Sequence, residues 1–185
     1  MRILFIGNSH TYYNDLPAMV AQIAQEEGIS CDVTMLAHGG WFLSQHVDEP
    51  DVRFNIRYGH YDYVVLQEHS HPFAPEEQYA QAVHTLCGWI REAGSIPVIY
   101  ATWSRKDEPE KQAAMNGIHR RAAAEDKALL APVGESWWAY LRSRPEIVMY
   151  AEDGAHASPA GSEFAAKLIL VTIRTDLRAR QKPHS

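Results

Sequence analysis

Apolar residues in this chain fall into short continuous runs, separated by longer stretches in which they recur every three or four positions. The first run, Ile3-Leu4-Phe5-Ile6, is β-branched and aromatic enough to read as a buried strand, and Gly7 then allows a sharp turn. Residues 16–27 follow at helical spacing, with Leu16, Met19, Val20, Ile23 and Ala24 on one face and Gly28 placed to end the helix. The alternation then repeats. Further strands are predicted at 31–37, 61–67, 96–102 and 129–133. Further helices are predicted at 75–93, at 108–126, through Trp137 and Leu141, and at 159–177, the last with Ser158 as N-cap and Pro159 at the first helical position. Strands alternating with helices in this way make an α/β domain with a parallel sheet of about five strands. Residues 1–177 read as one domain, and residues 178–185 as a polar tail with frayed structure.

Composition narrows the function classes. The chain has 185 residues, long enough for one sizeable core, and is 46% hydrophobic and 22% charged. Its formal charge of −6 offers no basic patch for a phosphate backbone or an anionic membrane, so neither nucleic acid nor membrane is an expected partner. No apolar run approaches the length of a membrane span. The apolar start is too short for a signal-peptide core, and cleavage beyond it would remove Ser9, so a cytoplasmic location is expected. Cys31 and Cys87 are the only cysteines and read as two buried free thiols, too sparse for a disulfide framework or a zinc site.

Gly7-Asn8-Ser9-His10-Thr11 places Ser9 at the carboxyl end of the first strand, the edge at which open α/β sheets bind ligands. A serine there can be a nucleophile if a base and an oxyanion site converge on it. Asp153-Gly154-Ala155-His156 lies in a loop just before the last helix. Three-residue spacing in a tight turn can bring a carboxylate against its own histidine, fixing one ring nitrogen and leaving the other free to accept a proton. The plainer alternative is a turn-forming aspartate and an exposed histidine. Gly39-Gly40, after the second strand, can point a backbone N–H at a developing oxyanion or can simply turn the chain. Gln67, at the end of the third strand, can donate to the same oxyanion from its amide or can cap the sheet edge.

These pieces fall on one rim of the sheet, and together they resemble the SGNH (GDSL-like) hydrolases, in the subgroup whose first motif reads Gly-Asn-Ser. The match runs from Gly7-Asn8-Ser9 through Gly40 to Asp153-x-x-His156. The resemblance implies a three-layer α/β/α sandwich of flavodoxin-like form and serine ester hydrolysis without a metal or organic cofactor. It makes Ser9 the nucleophile, His156 the general base and Asp153 the residue that orients it. The Ser9 and Gly40 N–H groups would line the oxyanion hole, with Gly39 as the alternative glycine. The family's third motif usually supplies an asparagine side chain as a further donor, whereas this chain has Leu66-Gln67-Glu68, so Gln67 takes that role by default. Asn8 is expected to brace the turn.

His10, Trp41 and Trp103 also map to this rim and are candidates to line a substrate pocket, Trp103 with simple loop packing as its equal alternative. Arg105 and Lys106 read as a solvated loop. Gly134-Glu135-Ser136 is a second Gly-x-Ser, but Ser136 precedes Trp137-Trp138 and reads as a helix N-cap, and exposed tryptophans there would offer a contact surface between copies. Glu68-His69-x-His71, with His38 nearby, invites a zinc site, but no His-Glu-x-x-His motif accompanies it and a metal would leave Ser9 without a role. His46, His60, His84 and His119 read as surface or satisfied residues. The expected substrate is a small ester, preferably short-acyl and including acetylated sugars. The rival readings are acyl transfer at the same site and a non-catalytic module binding a glycan or nucleotide.

Overall fold

The computed structural model describes residues 1–181. Five parallel strands form one sheet in the order β2-β1-β3-β4-β5: β1 (Arg2–Gly7), β2 (Asp32–Ala37), β3 (Tyr63–Leu66), β4 (Ile96–Tyr100) and β5 (Leu129–Ala131). Eight helices accompany them: α1 (Ser9–Tyr12), α2 (Leu16–Glu26), α3 (Leu43–Val47), α4 (Pro50–Tyr58), α5 (Glu76–Glu92), α6 (Gln112–Glu125), α7 (Val133–Ser143) and α8 (Pro159–Gln181). The alternation of side chains along a strand divides the core in two. Ile3 and Phe5 of β1 and Tyr63 and Val65 of β3 pack with α2, α7 and α8, while Leu4, Ile6, Val64 and Leu66 pack with α3, α4, α5 and α6. The result is the expected three-layer α/β/α sandwich. The sheet interior is dry: Ile3, Leu4, Phe5 and Ile6 are each 0% exposed, and such a side chain contributes about 1.5–3 kcal/mol by leaving water.

This strand order reverses direction at β1, whose neighbours are β2 on one side and β3 on the other. Chains leaving the carboxyl ends of β1 and β3 therefore diverge onto opposite faces and open a crevice, the usual ligand position in sheets of this order. Ser9 stands at its mouth. Among the described residues no helix is long and apolar enough to cross a membrane.

Several elements differ from the sequence reading. Strand β5 ends at Ala131 and α7 begins at once at Val133, so Ser136 lies inside the helix, with its N–H on the Pro132 carbonyl 3.1 Å away, and is not an N-cap. Trp137 is fully buried and stacks face to face on Trp103 at 3.9 Å, so it offers no contact surface. Helix α8 continues four residues past Leu177 to Gln181, where Arg180 pairs with Asp176, so the start of the expected tail is helical. Residues 182–185 lie outside the described residues. Helix α4 was not anticipated. The predicted N-cap of α8 is present, with Ser158 Oγ accepting from Gly161 N–H at 3.1 Å.

Candidate active site

Gly7 ends β1 at a point with no room for a side chain. A Cβ there would lie 2.4 Å from Thr11 Oγ1 and 2.5 Å from the Gln67 side-chain oxygen. Asn8 then caps the one-turn helix α1: its side-chain oxygen accepts from His10 N–H at 3.1 Å, and its amide nitrogen donates to the Trp41 carbonyl at 2.9 Å. Asn8 thus joins the turn after β1 to the loop after β2 and braces it as expected. Ser9, the first residue of α1, is left facing the crevice.

Residues 153–156 form a tight turn just before α8. Asp153 Oδ1 accepts from the N–H groups of Ala155 and His156, both at 2.9 Å, and Asp153 Oδ2 meets His156 Nδ1 at 2.5 Å. The turn is fixed from outside as well, by Trp103 Nε1–H donating to the Ala155 carbonyl at 2.8 Å and Lys106 N–H to the Gly154 carbonyl at 2.9 Å. The other imidazole nitrogen, His156 Nε2, lies 2.7 Å from Ser9 Oγ. Burial pushes the Asp153 carboxyl up, but the hydrogen bonds from the His156 ring and from two backbone N–H groups outweigh it and hold the acid well below the usual carboxylate range. An ionised Asp153 accepts only, so Nδ1 carries the proton and Nε2 presents its lone pair to the Ser9 hydroxyl.

Beside Ser9, the chain after β2 passes through Gly39 and Gly40. Gly40 adopts φ +74°, which glycine alone takes without strain, and a Cβ on it would meet open space, whereas one on Gly39 would lie 2.9 Å from the Tyr12 hydroxyl. Among the described residues none accepts a hydrogen bond from the N–H of Ser9 or of Gly40. A serine with an oriented imidazole and free backbone donors beside it is an arrangement for acyl transfer chemistry.

No family model matches the chain, and no curated protein sequence matches it. Solved structures do. A protein from Slackia heliotrinireducens assigned to the SGNH hydrolases is 32% identical, aligns over 94% of this chain and 98% of its own, and superposes with a TM-score of 0.81. The chain belongs to the SGNH hydrolase family. More distant structures share the fold. An acetyl xylan esterase is 15% identical over 94% of this chain and the whole of its own, with a TM-score of 0.74. A psychrotrophic esterase from Pseudoalteromonas is 10% identical over 96% of this chain and 98% of its own, with a TM-score of 0.71.

Within this SGNH hydrolase, three expected site residues serve elsewhere. Gln67 is 1% exposed, and its side-chain oxygen accepts from Asn8 N–H and from Thr11 Oγ1, each at 2.8 Å, while its NH₂ group donates to the Glu68 carbonyl. The Asn8 donor fixes the orientation of the amide, so Gln67 supports the turn at Ser9 from beneath and is not free to donate to an oxyanion. Trp103 is 0% exposed, sealed under Trp137, and reaches the site through its bond to Ala155 and its packing on His10, so it cannot line a substrate pocket. His10 is 7% exposed and packs against the His156 ring at 4.9 Å, so it is a buried neighbour of that imidazole and not a pocket wall. Trp41 stays half-buried on the rim, stacked on His38 at 4.0 Å.

The histidines considered for metal binding are divided between two places. His38 packs with Trp41 and His46, while His71 packs with His10. His69 Nδ1 donates to the Pro72 carbonyl at 2.7 Å, and the Glu68 carboxylate accepts from the N–H groups of His69 and Leu43. Among the described residues no three His, Cys, Asp or Glu side chains converge on one point suited to a metal ion. His71 instead borders a cleft of about 350 Å³, lined also by Phe73, Met115 and Ile118.

Proposed function

We propose that this SGNH hydrolase cleaves short-acyl carboxylic esters through an acyl-enzyme on Ser9. The single observation carrying this reading is the continuous line Ser9 Oγ, His156 Nε2, His156 Nδ1, Asp153 Oδ2, with separations of 2.7 and 2.5 Å across its two hydrogen bonds. In the proposed sequence Ser9 Oγ attacks the ester carbonyl carbon as its proton passes to His156 Nε2. The carbonyl π pair moves to oxygen, where the N–H groups of Ser9 and Gly40 stabilise it. Collapse of the tetrahedral intermediate breaks the bond to the alcohol oxygen, which takes the proton from His156. Water then repeats the sequence on the acyl-enzyme, with His156 again as base, and releases the acid and Ser9. Asp153 keeps its charge throughout and faces the imidazolium whenever it forms.

An acetyl xylan esterase among the structures sharing this fold makes acetylated sugars the first natural substrates to try. The test is a nitrophenyl ester series of increasing acyl length together with acetylated sugars, comparing the wild type with Ser9→Ala. Rates are expected to be highest for two- to four-carbon acyl groups, and Ser9→Ala is expected to lose at least about 10³-fold. Undiminished release by Ser9→Ala would overturn the assignment.

A further inference from the structure

The His156 imidazole packs against two rings from the segment that follows Ser9. The Tyr13 ring is stacked on it almost parallel, with centroids 4.0 Å apart and an interplanar angle of 9°. The His10 ring is tilted against it, at 4.9 Å and 35°. Tyr13 is 36% exposed, so its ring is a cover between the imidazole and solvent.

The backbone that delivers Tyr13 is held in an unusual shape. Asn14 and Asp15, directly after it, take consecutive left-handed conformations with φ of +56° and +54°. Asn and Asp tolerate that region best after glycine, but two in succession are uncommon and are held by surrounding contacts. Here the contacts cross to the other end of the chain. Asn14 Nδ2 donates to the Ala157 carbonyl at 3.0 Å and to Ser162 Oγ at 2.9 Å, and Ser162 Oγ lies 3.4 Å from the Tyr13 carbonyl. Ala157 is the residue after His156. The turn that carries Tyr13 is therefore tied to the loop that carries the base, and the ring is placed on the imidazole by the same tie.

We propose that Tyr13 is a positioning residue for His156, its ring fixing the imidazole in the plane that joins Ser9 to Asp153 and facing the imidazolium that forms on proton transfer. The inference rests on His156 being the base. A parallel ring opposes rotation of the imidazole out of line, and the electron-rich face of a phenol attracts a cation within about 6 Å of its centroid. The other titratable or charged groups around the imidazole are Asp153 on its own loop, His10 from α1, His71 from the loop after β3, and Arg105, whose guanidinium reaches the Asp153 carbonyl at 3.2 Å. Burial foremost, with repulsion from neighbouring histidines, holds His10 well below the ordinary histidine range, so it meets the imidazolium as a neutral ring.

The test compares Tyr13→Phe, Tyr13→Leu and pentafluorophenylalanine at position 13, with His156→Ala alongside, measuring kcat and KM for nitrophenyl acetate from pH 5 to 9. Tyr13→Phe keeps the ring face and is expected to stay within about twofold of the wild type. Tyr13→Leu is expected to lower kcat about fivefold at unchanged KM and to move the acid limb of the kcat profile down by about half a pH unit, because the imidazolium loses a stabilising partner. The fluorinated ring preserves shape but reverses the charge of its face, so it should follow Leu, which separates the ring's field from simple packing. Tyr13→Phe falling as far as Leu, an acid limb that stays or moves up in Tyr13→Leu, or a change in KM alone would each overturn the proposal. Full activity in His156→Ala would overturn the base assignment itself, and with it this inference. Loss in His156→Ala with no effect of Tyr13→Leu would overturn only the role of Tyr13.

Discussion

Nε2 of His156 can take a proton from Ser9 only while Nδ1 is committed as a donor, and Asp153 makes that commitment. The carboxylate does so without deep burial: its side chain is 46% exposed, and its ionised state comes from three hydrogen bonds, two of them from the backbone of its own turn. Asp153→Asn would keep the shape of the turn but present a side chain that can donate to Nδ1, favouring the tautomer with Nε2 protonated. The expected result is a fall in kcat of about 10⁴-fold at pH 7 with an unfolding midpoint close to that of the wild type. Parallel loss of activity and cooperative unfolding would instead mean that Asp153 serves the loop and not the ring. Gln67 illustrates the opposite case at this scale. Its strand-end position suggests a donor to substrate, yet the N–H of Asn8 and the hydroxyl of Thr11 draw its side-chain oxygen inward. The competition that turns an amide one way or the other is between neighbours brought together only by folding, so the position of Gln67 in the chain does not disclose it.

At the scale of elements, legibility follows how local the signal is. The first strand, its glycine turn and the Asp153-to-His156 turn are each written in a few adjacent residues, and each forms where the pattern places it. Helix α4 escaped because its apolar residues Val52, Phe54 and Ile56 alternate. Only Val52 and Ile56, four apart, are buried, while Phe54 is 52% exposed, so alternation hid a helical pair. Trp103 lies three residues past the end of β4, a position facing the crevice in principle. The early start of α7 brings Trp137 over it, and that contact joins residues far apart in the chain. The Tyr13 turn did carry a signal. Asn14-Asp15 are the residue types that best tolerate left-handed backbone after glycine, and their pairing marked a specially shaped turn soon after Ser9.

Over the whole molecule, the sheet order brings residue 9 and residue 156 together from opposite ends of the chain, so the site exists only in the complete fold. The same packing buries several imidazoles. Burial pushes His46 and His71 down to about 4 and His119 to about 3, in His46 against a raising hydrogen bond from the Gly7 carbonyl, and it holds His10 well below its ordinary value. The unfolded chain takes up protons at these histidines below about pH 6.5, where the native chain refuses them, so their contribution is complete above that pH and is lost as pH falls toward 4. Glu68 acts in the other sense. Burial raises it to about 7 despite the N–H groups of His69 and Leu43, so its contribution is lost as pH rises from 4.5 to 7. Four imidazoles outweigh one carboxyl, and the urea midpoint is expected to be lower at pH 5 than at pH 7. His119→Phe should flatten that slope by about 1.4 kcal/mol per pH unit, the effect of one proton. A midpoint that rises on acidification would contradict this balance.

Activation of Ser9 as a nucleophile by His156 is measured by reaction with a phosphonate ester that modifies only activated serines, followed by intact mass and peptide mapping of the wild type, Ser9→Ala and His156→Ala. One adduct is expected, on the peptide containing Ser9, absent in Ser9→Ala and formed far more slowly in His156→Ala. An adduct on another residue, or none at all in a preparation that hydrolyses esters, would contradict this assignment.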